Sequence, residues 1–404
     1  MRTTCAIVGG GPAGMMLGFL LARAGVDVTV LEKHADFFRD FRGDTIHPTT
    51  LALMDELGLL DEFLRLPHQQ VQRFDLLVCG DAVPGPDFTT LPTRCKFMCL
   101  MPQWDFLNFI ASKARRYPNF HLLLETAGAG LLREGGRVAG VQATSPQGPL
   151  DLRADLVVGA DGRHSTIRER AGFVPVELAT PFDVLWFRVS RRESDGEQTL
   201  GNLERGKAMI MLNRRDYWQC AYLIRKGGLG ELKARGLQPF RDAVAGIAPY
   251  LNDRVREIAS WDDVKLLTVT VDRLRRWSEP GLLCIGDAAH AMSPMGGVGI
   301  NLAIADAVAA ANALWRPLRE GRLTQSDLQA VQVRRETPVK KMQNFQVAVG
   351  QQVLLPLLDG RIPLGLRILP AMLRTFPILR AQGARVIGLG FQPERLETPE
   401  LAPA

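Results

Sequence analysis

The N-terminal segment constrains the fold most. A short apolar run, TTCAIV, ends in the glycine-rich turn GGGPAG; an apolar helical stretch and a second β-branched run, VDVTVL, follow. The pattern predicts a strand over 3–8, a helix over Pro12–Ala24 and a strand over 26–31, the size of one βαβ crossover. Proline suits the first helical position, where its missing N–H would be unpaired anyway. Gly9, Gly11 and Gly14 stand in GxGxxG spacing. They serve a tight turn, close approach of backbone to a pyrophosphate, and close packing of helix on strand. The helix N-terminus, with Pro12 and Ala13 in its first turn, offers unpaired N–H groups and partial positive charge to phosphates. Glu32 closes the second strand 18 residues after Gly14, with Lys33 beside it. A carboxylate there accepts a hydrogen bond from a ribose 2′-OH and repels a 2′-phosphate. The loop therefore favours FAD or NAD over NADP and does not separate the first two.

With 404 residues the chain has room for about two or three structural units. Lys and Arg number 49 against 43 Asp and Glu, a net charge of +6. That excess is spread along the chain and no nucleic-acid-reading motif accompanies it, so no nucleic-acid partner is expected. Cysteines at 5, 79, 95, 99, 220 and 284 form no CxxC pair, and no His cluster has metal-ligand spacing; no metal is expected. With no cleavable leader and no run of about 18 apolar residues, a reducing, cytoplasmic setting is the default expectation.

Further along, helices are expected at Pro48–Leu57 and Gln103–Arg116, and a β meander over 120–158. A β-rich stretch over 182–271 carries a helix near 231–248. The strand GLLCIG at 281–286 leads to an Ala-rich helix at 299–316, and the chain beyond reads as helical with proline breaks to its end. The expected fold is α/β: a three-layer, Rossmann-like nucleotide domain with an inserted mixed β-sheet domain and a C-terminal helical segment. The boundaries are 1–75, 100–180 and 278–330 for the first, 76–99 and 181–277 for the second, and 331–404 for the third.

Three more motifs follow: FRGDTIHP around Arg42, DLVVGADG running into RHSTIRERAG, and LCIGDAAHAMSPMGGVGINLAIADA. Together with GGGPAG, in this order, they resemble the fingerprints of the group A flavoprotein monooxygenases, the para-hydroxybenzoate hydroxylase-like family, with a looser likeness to ubiquinone-ring hydroxylases. The third motif also has its own physics. Gly286-Asp287 ends a buried strand, where a carboxylate can accept from a polyol. Small residues at 288, 289, 296, 297 and 299 let a flat ring lie against backbone. The helix beginning at Gly299-Ile300-Asn301 aims its positive end at that ring and would stabilise reduced flavin.

The resemblance implies FAD as cofactor, NADH or NADPH as transient reductant, and O2, with a C4a-hydroperoxyflavin hydroxylating a small aromatic or polyketide-like substrate. It places ribityl binding on Asp287, the flavin ring beside Pro294, Gly297, Gly299 and Asn301, and further cofactor contacts at Arg42, Gln103, Asp161 and Gly162. Arg163 and Arg168 are candidate anion contacts. No second GxGxxG occurs, so the reductant is expected to dock transiently on the FAD domain. No WxWxIP supports a halogenase, and no room remains for the thioredoxin-like domain of phenol-hydroxylase-like relatives. A monomer or homodimer is expected.

The proton-handling group is not evident; His47 and Tyr222 are the candidates. The inserted sheet is expected to roof the substrate, with Met209 and Met211 on one strand and Trp218, Cys220 and Tyr222 on the next forming an apolar wall, and Pro294 beside it. Two other readings stand beside this one. The arginine-studded apolar segment 361–391 fits a hydroxylase or epoxidase of a lipophilic quinone precursor or alkene at a membrane surface, and equally a helical cap. A flavin-binding protein without turnover would share every cofactor motif.

Overall fold

The computed structural model describes residues 1–38, 45–196 and 200–401. The N-terminal unit is β1 (Arg2–Val8), α1 (Pro12–Arg23) and β2 (Val28–Leu31). The helices Pro48–Glu56 (α2) and Gln103–Ala114 (α3) precede β3 (Phe120–Leu123). The meander is Ala127–Glu134 (β4), Arg137–Ser145 (β5) and Gly148–Gly159 (β6). After it come β7 (Phe182–Ser190), β8 (Lys207–Asn213), β9 (Tyr217–Arg225) and helix α4 (Leu237–Ile247). The strand β10 (Leu282–Cys284) leads to α5 (Gly299–Arg319), α6 (Gln325–Val349), α7 (Leu364–Thr375) and α8 (Pro377–Gly388).

Strands β10, β6, β1, β2 and β3 lie side by side, all parallel. β6 is long enough to serve twice: its first half pairs antiparallel with β5, its second half with β1 and β10. The central parallel segments, residues 5–8, Val28–Leu31, 156–159 and Leu282–Cys284, are buried on both faces, which explains their largely apolar sequence, whereas the edge strand β3 exposes His121. α5 packs on α1 and α6. Against the expectation of no such run, the stretch Met295–Arg319 has the length of a membrane span and an 18-residue window of mean hydropathy 1.5, yet 72% of that window is buried inside the protein. Small buried residues at Ala303, Ala307 and Ala310 suit a helix packed inside the molecule.

A second, mixed sheet of seven strands runs Lys265–Leu267, β7, β9, β8, Leu200–Glu204, Leu76–Val78, Asp81–Val83. A three-stranded sheet of Pro175–Leu178, Val271–Leu274 and His290–Ala291 stands where the chain passes between the two. Two expectations change. The helical stretch near 231–248 is two helices, Leu229–Ala234 and α4, separated at Gly236, whose φ of 95° breaks the helix. Beyond Gly388 the chain is not helical: residues 389–401 have no helix and lie back along the protein. Leu401 N–H donates to Arg23 O and Leu396 N–H to Glu56.

Candidate active site

Three of the motifs meet at the carboxyl ends of β1, β6 and β10, where parallel α/β sheets hold their ligands, and Thr45, in the described end of the fourth, lies against Gly297. Close contacts at glycines prove the convergence. A Cβ on Gly9 (φ 110°) would lie 2.3 Å from Ala160 O, which puts the glycine loop against the Asp161-Gly162 turn. A Cβ on Gly14 would lie 2.0 Å from Gly9 O, so only glycine closes this turn. Gly286 (φ 59°) stands so close that its Cβ would be 3.1 Å from that of Ala13, joining the GD turn to the first turn of α1. Gly297 (φ 62°) packs on Thr45, and Gly299 begins α5.

Charge is arranged around this junction. The first turn of α1 begins at Pro12 and has no side-chain cap. The Glu32 carboxylate is held by the N–H groups of Gly10 and His34, both at 3.0 Å, with Lys33 exposed beside it. Asp287, its side chain 33% exposed, is paired with Arg163 at 3.6 Å. The Asp161 carboxylate accepts from Ser165 Oγ and from Ile167 N–H, so it caps the short helix Thr166–Arg170; burial raises its pKa. Arg168 is buried, with its guanidinium on the carbonyls of Arg163 and Ala288 and 3.6 Å from Asp272. It ties the two turns together and pairs inside the protein with the Asp272 carboxylate, so it is not a solvated charge. Gln103 is half-buried at the start of α3. Arg42 lies outside the described residues.

The chain matches the family described as FAD binding domain over residues 2–345. It is 35% identical over 377 residues to a 6-methylpretetramide 4-monooxygenase of Streptomyces rimosus, covering 92% of this chain and 88% of that one. It is 25% identical to a para-nitrophenol 4-monooxygenase of a Pseudomonas strain, over 79% of each chain. In structure it resembles PqsL of Pseudomonas aeruginosa in complex with 2-aminobenzoylacetate, with a TM-score of 0.78, 21% identity and coverage of 93% and 100%. The chain belongs to the FAD-dependent aromatic monooxygenases. The enzyme's cofactor is FAD and its reductant NAD(P)H.

The residues present fit FAD. A Cβ on Gly11 or on Gly162 would meet nothing within 4 Å, so open space fronts both turns just where α1 presents its uncapped N–H groups. Two site expectations need correction. Asn301 uses its side chain inside the protein: Oδ1 accepts from His47 N–H (2.9 Å) and Thr50 Oγ1 (2.8 Å), while Nδ2 donates to Thr45 O and Gly297 O. It therefore shapes the turn Pro294–Gly297 through the 45–50 segment rather than reaching outward, and Ile300 beside it is buried. His47 is buried, its Nδ1 bound to Ile387 O at 2.7 Å. Burial pushes its pKa down to about 4, against the pull of the Ile387 and Gly296 carbonyls. Such a group is neutral at pH 7 and a weak proton acceptor, so its role is to hold the turn and α8.

The five residues expected to line the substrate are packed inside the inserted unit. Met209, Met211, Trp218, Cys220 and Tyr222 are all buried in one cluster with Phe240, Val244 and Ile247 of α4. Tyr222 stacks edge-on against Phe240 inside that cluster, and burial pushes its pKa up to about 12. Trp218 Nε1 donates to Asp195, itself paired with buried Arg254. The opposite face carries Trp186, Ile210 and Leu267, and these belong to a cluster that includes Met295 of the glycine-rich turn. Register aligns Trp186, Ala221 and Ile210 in one row across β7, β9 and β8. The small alanine between two large side chains was the available signal, since alternation alone does not say which face looks inward.

Proposed function

We propose that the enzyme hydroxylates a flat, apolar polycycle of the aromatic polyketide type, seated on the Trp186–Ala221–Ile210 row opposite the turn Pro294–Gly297. The row's place in one cluster with Met295 carries this reading. It is supported by the 35% identity to a 6-methylpretetramide 4-monooxygenase. The cofactor domain is assigned to residues 1–75, 100–180 and 278–330, the substrate domain to 76–99 and 181–277, and the C-terminal segment to 331–404, in a cytoplasmic monomer or homodimer.

When bound, FAD takes electrons from NAD(P)H and activates O2 for transfer of one oxygen atom. The glycine loop, from Gly9 to Gly14, gives its N–H groups to the pyrophosphate, and Glu32 accepts from the adenosine ribose. Asp287 holds the ribityl chain, with Arg163 as its counter-ion. Pro294, Gly297 and Gly299 leave backbone exposed to the ring, and the N-terminus of α5 stabilises negative charge there. The Trp186 row and Met295 exclude water from the reacting atoms.

The test follows ligand-stimulated NAD(P)H oxidation together with product mass, using a tetracyclic pretetramide-type probe and p-nitrophenol. Stimulation and a gain of one oxygen with the tetracycle are expected. A mass gain with p-nitrophenol alone would replace the polycyclic reading with a small-phenol one, and peroxide release with both would count against it.

A second reading, oxygenation of a lipophilic quinone precursor or alkene at a membrane, is favoured by α7. Leu364, Ile368 and Met372 are exposed on it, with Arg367 and Arg374 on the same helix. Co-sedimentation with anionic liposomes, abolished by removal of 361–404, would favour it; full recovery in the supernatant is expected of the first reading.

A further inference from the structure

A line of buried charge connects the C-terminal tail to the GD turn. Asp306, on α5, accepts at Oδ2 from Gly286 N–H (3.1 Å) and from His290 Nε2 (2.6 Å). Its Oδ1 accepts from Arg335 Nε of α6 at 2.9 Å. Arg335 Nη1 reaches on to Glu394 Oε1 (3.2 Å) and Gln392 O (3.3 Å), and Arg334 closes on the other oxygen of Glu394 at 2.6 Å. The side chains of His290, Asp306, Arg335 and Glu394 are at most 2% exposed. Burial raises the Asp306 pKa, but His290 and Arg335 outweigh it and hold the carboxyl below its ordinary range.

Burying such a series is expensive, and apolar side chains of similar size would hold helix against helix at least as well. What apolar packing cannot supply is an acceptor for Gly286 N–H. That N–H belongs to the residue before Asp287, in a turn whose left-handed Gly286 already touches Ala13 of the glycine loop. The same tail also grips the far end of α1: Leu401 N–H donates to Arg23 O, and Arg23 donates to Thr398 O and pairs with Glu400. Residues 392–401 thus reach both elements that carry the dinucleotide motifs.

We propose that the C-terminal tail is a strap that positions the FAD site, with Glu394 and Arg335 as positioning residues acting on Asp287 through Asp306. The proposal rests on the FAD-site assignment above. Glu394 touches no ligand; its charge fixes Arg335, which fixes the Asp306 carboxylate, which fixes the Gly286–Asp287 peptide. Loss of the charge at Glu394 leaves Arg335 half-paired and lets the turn relax.

The experiment compares Glu394→Gln, Glu394→Asp and Glu400→Gln with the wild-type chain. It reads the FAD Kd by flavin fluorescence, the visible flavin spectrum, and Tm with and without FAD. Glu394→Gln is expected to weaken FAD binding about tenfold and to shrink the rise in Tm that FAD produces. Glu394→Asp is expected to recover part of the affinity, and Glu400→Gln, which loosens only the exposed grip on the far end of α1, to weaken binding less than Glu394→Gln does. An equal fall of apo and holo Tm with unchanged Kd and spectrum would overturn the proposal, leaving the tail as plain structural support. Gly11→Val and Asp287→Asn separate the two levels. If they too leave the Kd unchanged, the site assignment fails; if they raise it and Glu394→Gln does not, only the strap fails.

Discussion

Two glycines of one loop do different work, and substitution separates them. Gly14 faces protein: a Cβ there would sit 2.0 Å from Gly9 O. Gly14→Ala is therefore expected to destabilise the apo-protein by about 2 kcal/mol or more, seen as a lower Tm before any cofactor is added. Gly11 faces open space, so Gly11→Val should keep the apo-protein's unfolding free energy within about 0.5 kcal/mol of wild type and lose most FAD affinity in a fluorescence titration. Equal behaviour of the two variants would mean that the space beyond Gly11 is not the pyrophosphate site. His47 offers a pH test. Its folded pKa of about 4 lies below the ordinary 6.5, so on acidification the unfolded chain takes up the proton first. Its contribution is fully present above pH 6.5 and is lost as pH falls toward 4, up to about 3 kcal/mol. Urea unfolding across that window should show a shallower loss for His47→Gln than for wild type. The glycines were legible in the sequence because steric need is local. The roles of Asn301 and Arg168 were not, since their partners (Thr45 and His47, Asp272 and Ala288) lie far off in the chain.

Among elements, the inserted sheet shows what a strand pattern does and does not contain. Alternation correctly groups Met209 with Met211 and Trp218 with Cys220 and Tyr222, because successive side chains point to opposite faces. Which face meets α4 and which meets the cluster that holds Leu354 and Leu357 depends on elements tens of residues later. The central cofactor strands were readable for the opposite reason: residues 5–8, Val28–Leu31 and Leu282–Cys284 are buried on both faces and read as largely apolar runs bounded by glycine. The tail misled because its Leu, Glu and Arg content suits a helix, whereas Pro393 and Pro399 and distant partners (Arg23, Asn312, Glu56) keep residues 392–401 out of one. Neighbouring residues on β8 test the assignment of faces. Met209 is fully buried against α4, so Met209→Ala should cost about 2–4 kcal/mol while KM stays near wild type. Ile210 is half-buried opposite, so Ile210→Ala should cost less stability but raise KM and divert NAD(P)H oxidation toward peroxide. Steady-state kinetics with peroxide detection, beside urea unfolding, distinguishes them; the reverse pattern would restore the Met209 face as the substrate wall.

For the whole molecule, the question is whether a site assembled from such distant segments makes the protein fold as one unit. The dinucleotide loop, the Asp161 turn, the GD turn and α5 come from both sides of the inserted sheet. The strands Pro175–Leu178, Val271–Leu274 and His290–Ala291 join the chain where it leaves and re-enters the nucleotide fold. Arg168 and Asp272 add a buried pair at this crossing, and Gln343 of α6 donates to Asp272 O and Ala291 O. A ligand that binds only the folded state stabilises every part that unfolds with its site. Calorimetry is therefore expected to show one main transition, and free FAD at 100 times its Kd should raise stability by about 2.7 kcal/mol. The inserted sheet should share that gain, since the connections that flank 181–277 run through the three-stranded junction, and the strands Leu76–Val78 and Asp81–Val83 tie it to the nucleotide fold a second time. Tryptophan fluorescence reads this directly: Trp218 is buried in the inserted sheet and Trp277 in the nucleotide-binding half. Single-tryptophan variants retaining one or the other should report coincident midpoints that move together with FAD. If the Trp218 reporter melts separately and ignores FAD, the junction transmits nothing and the two sheets are thermodynamically independent.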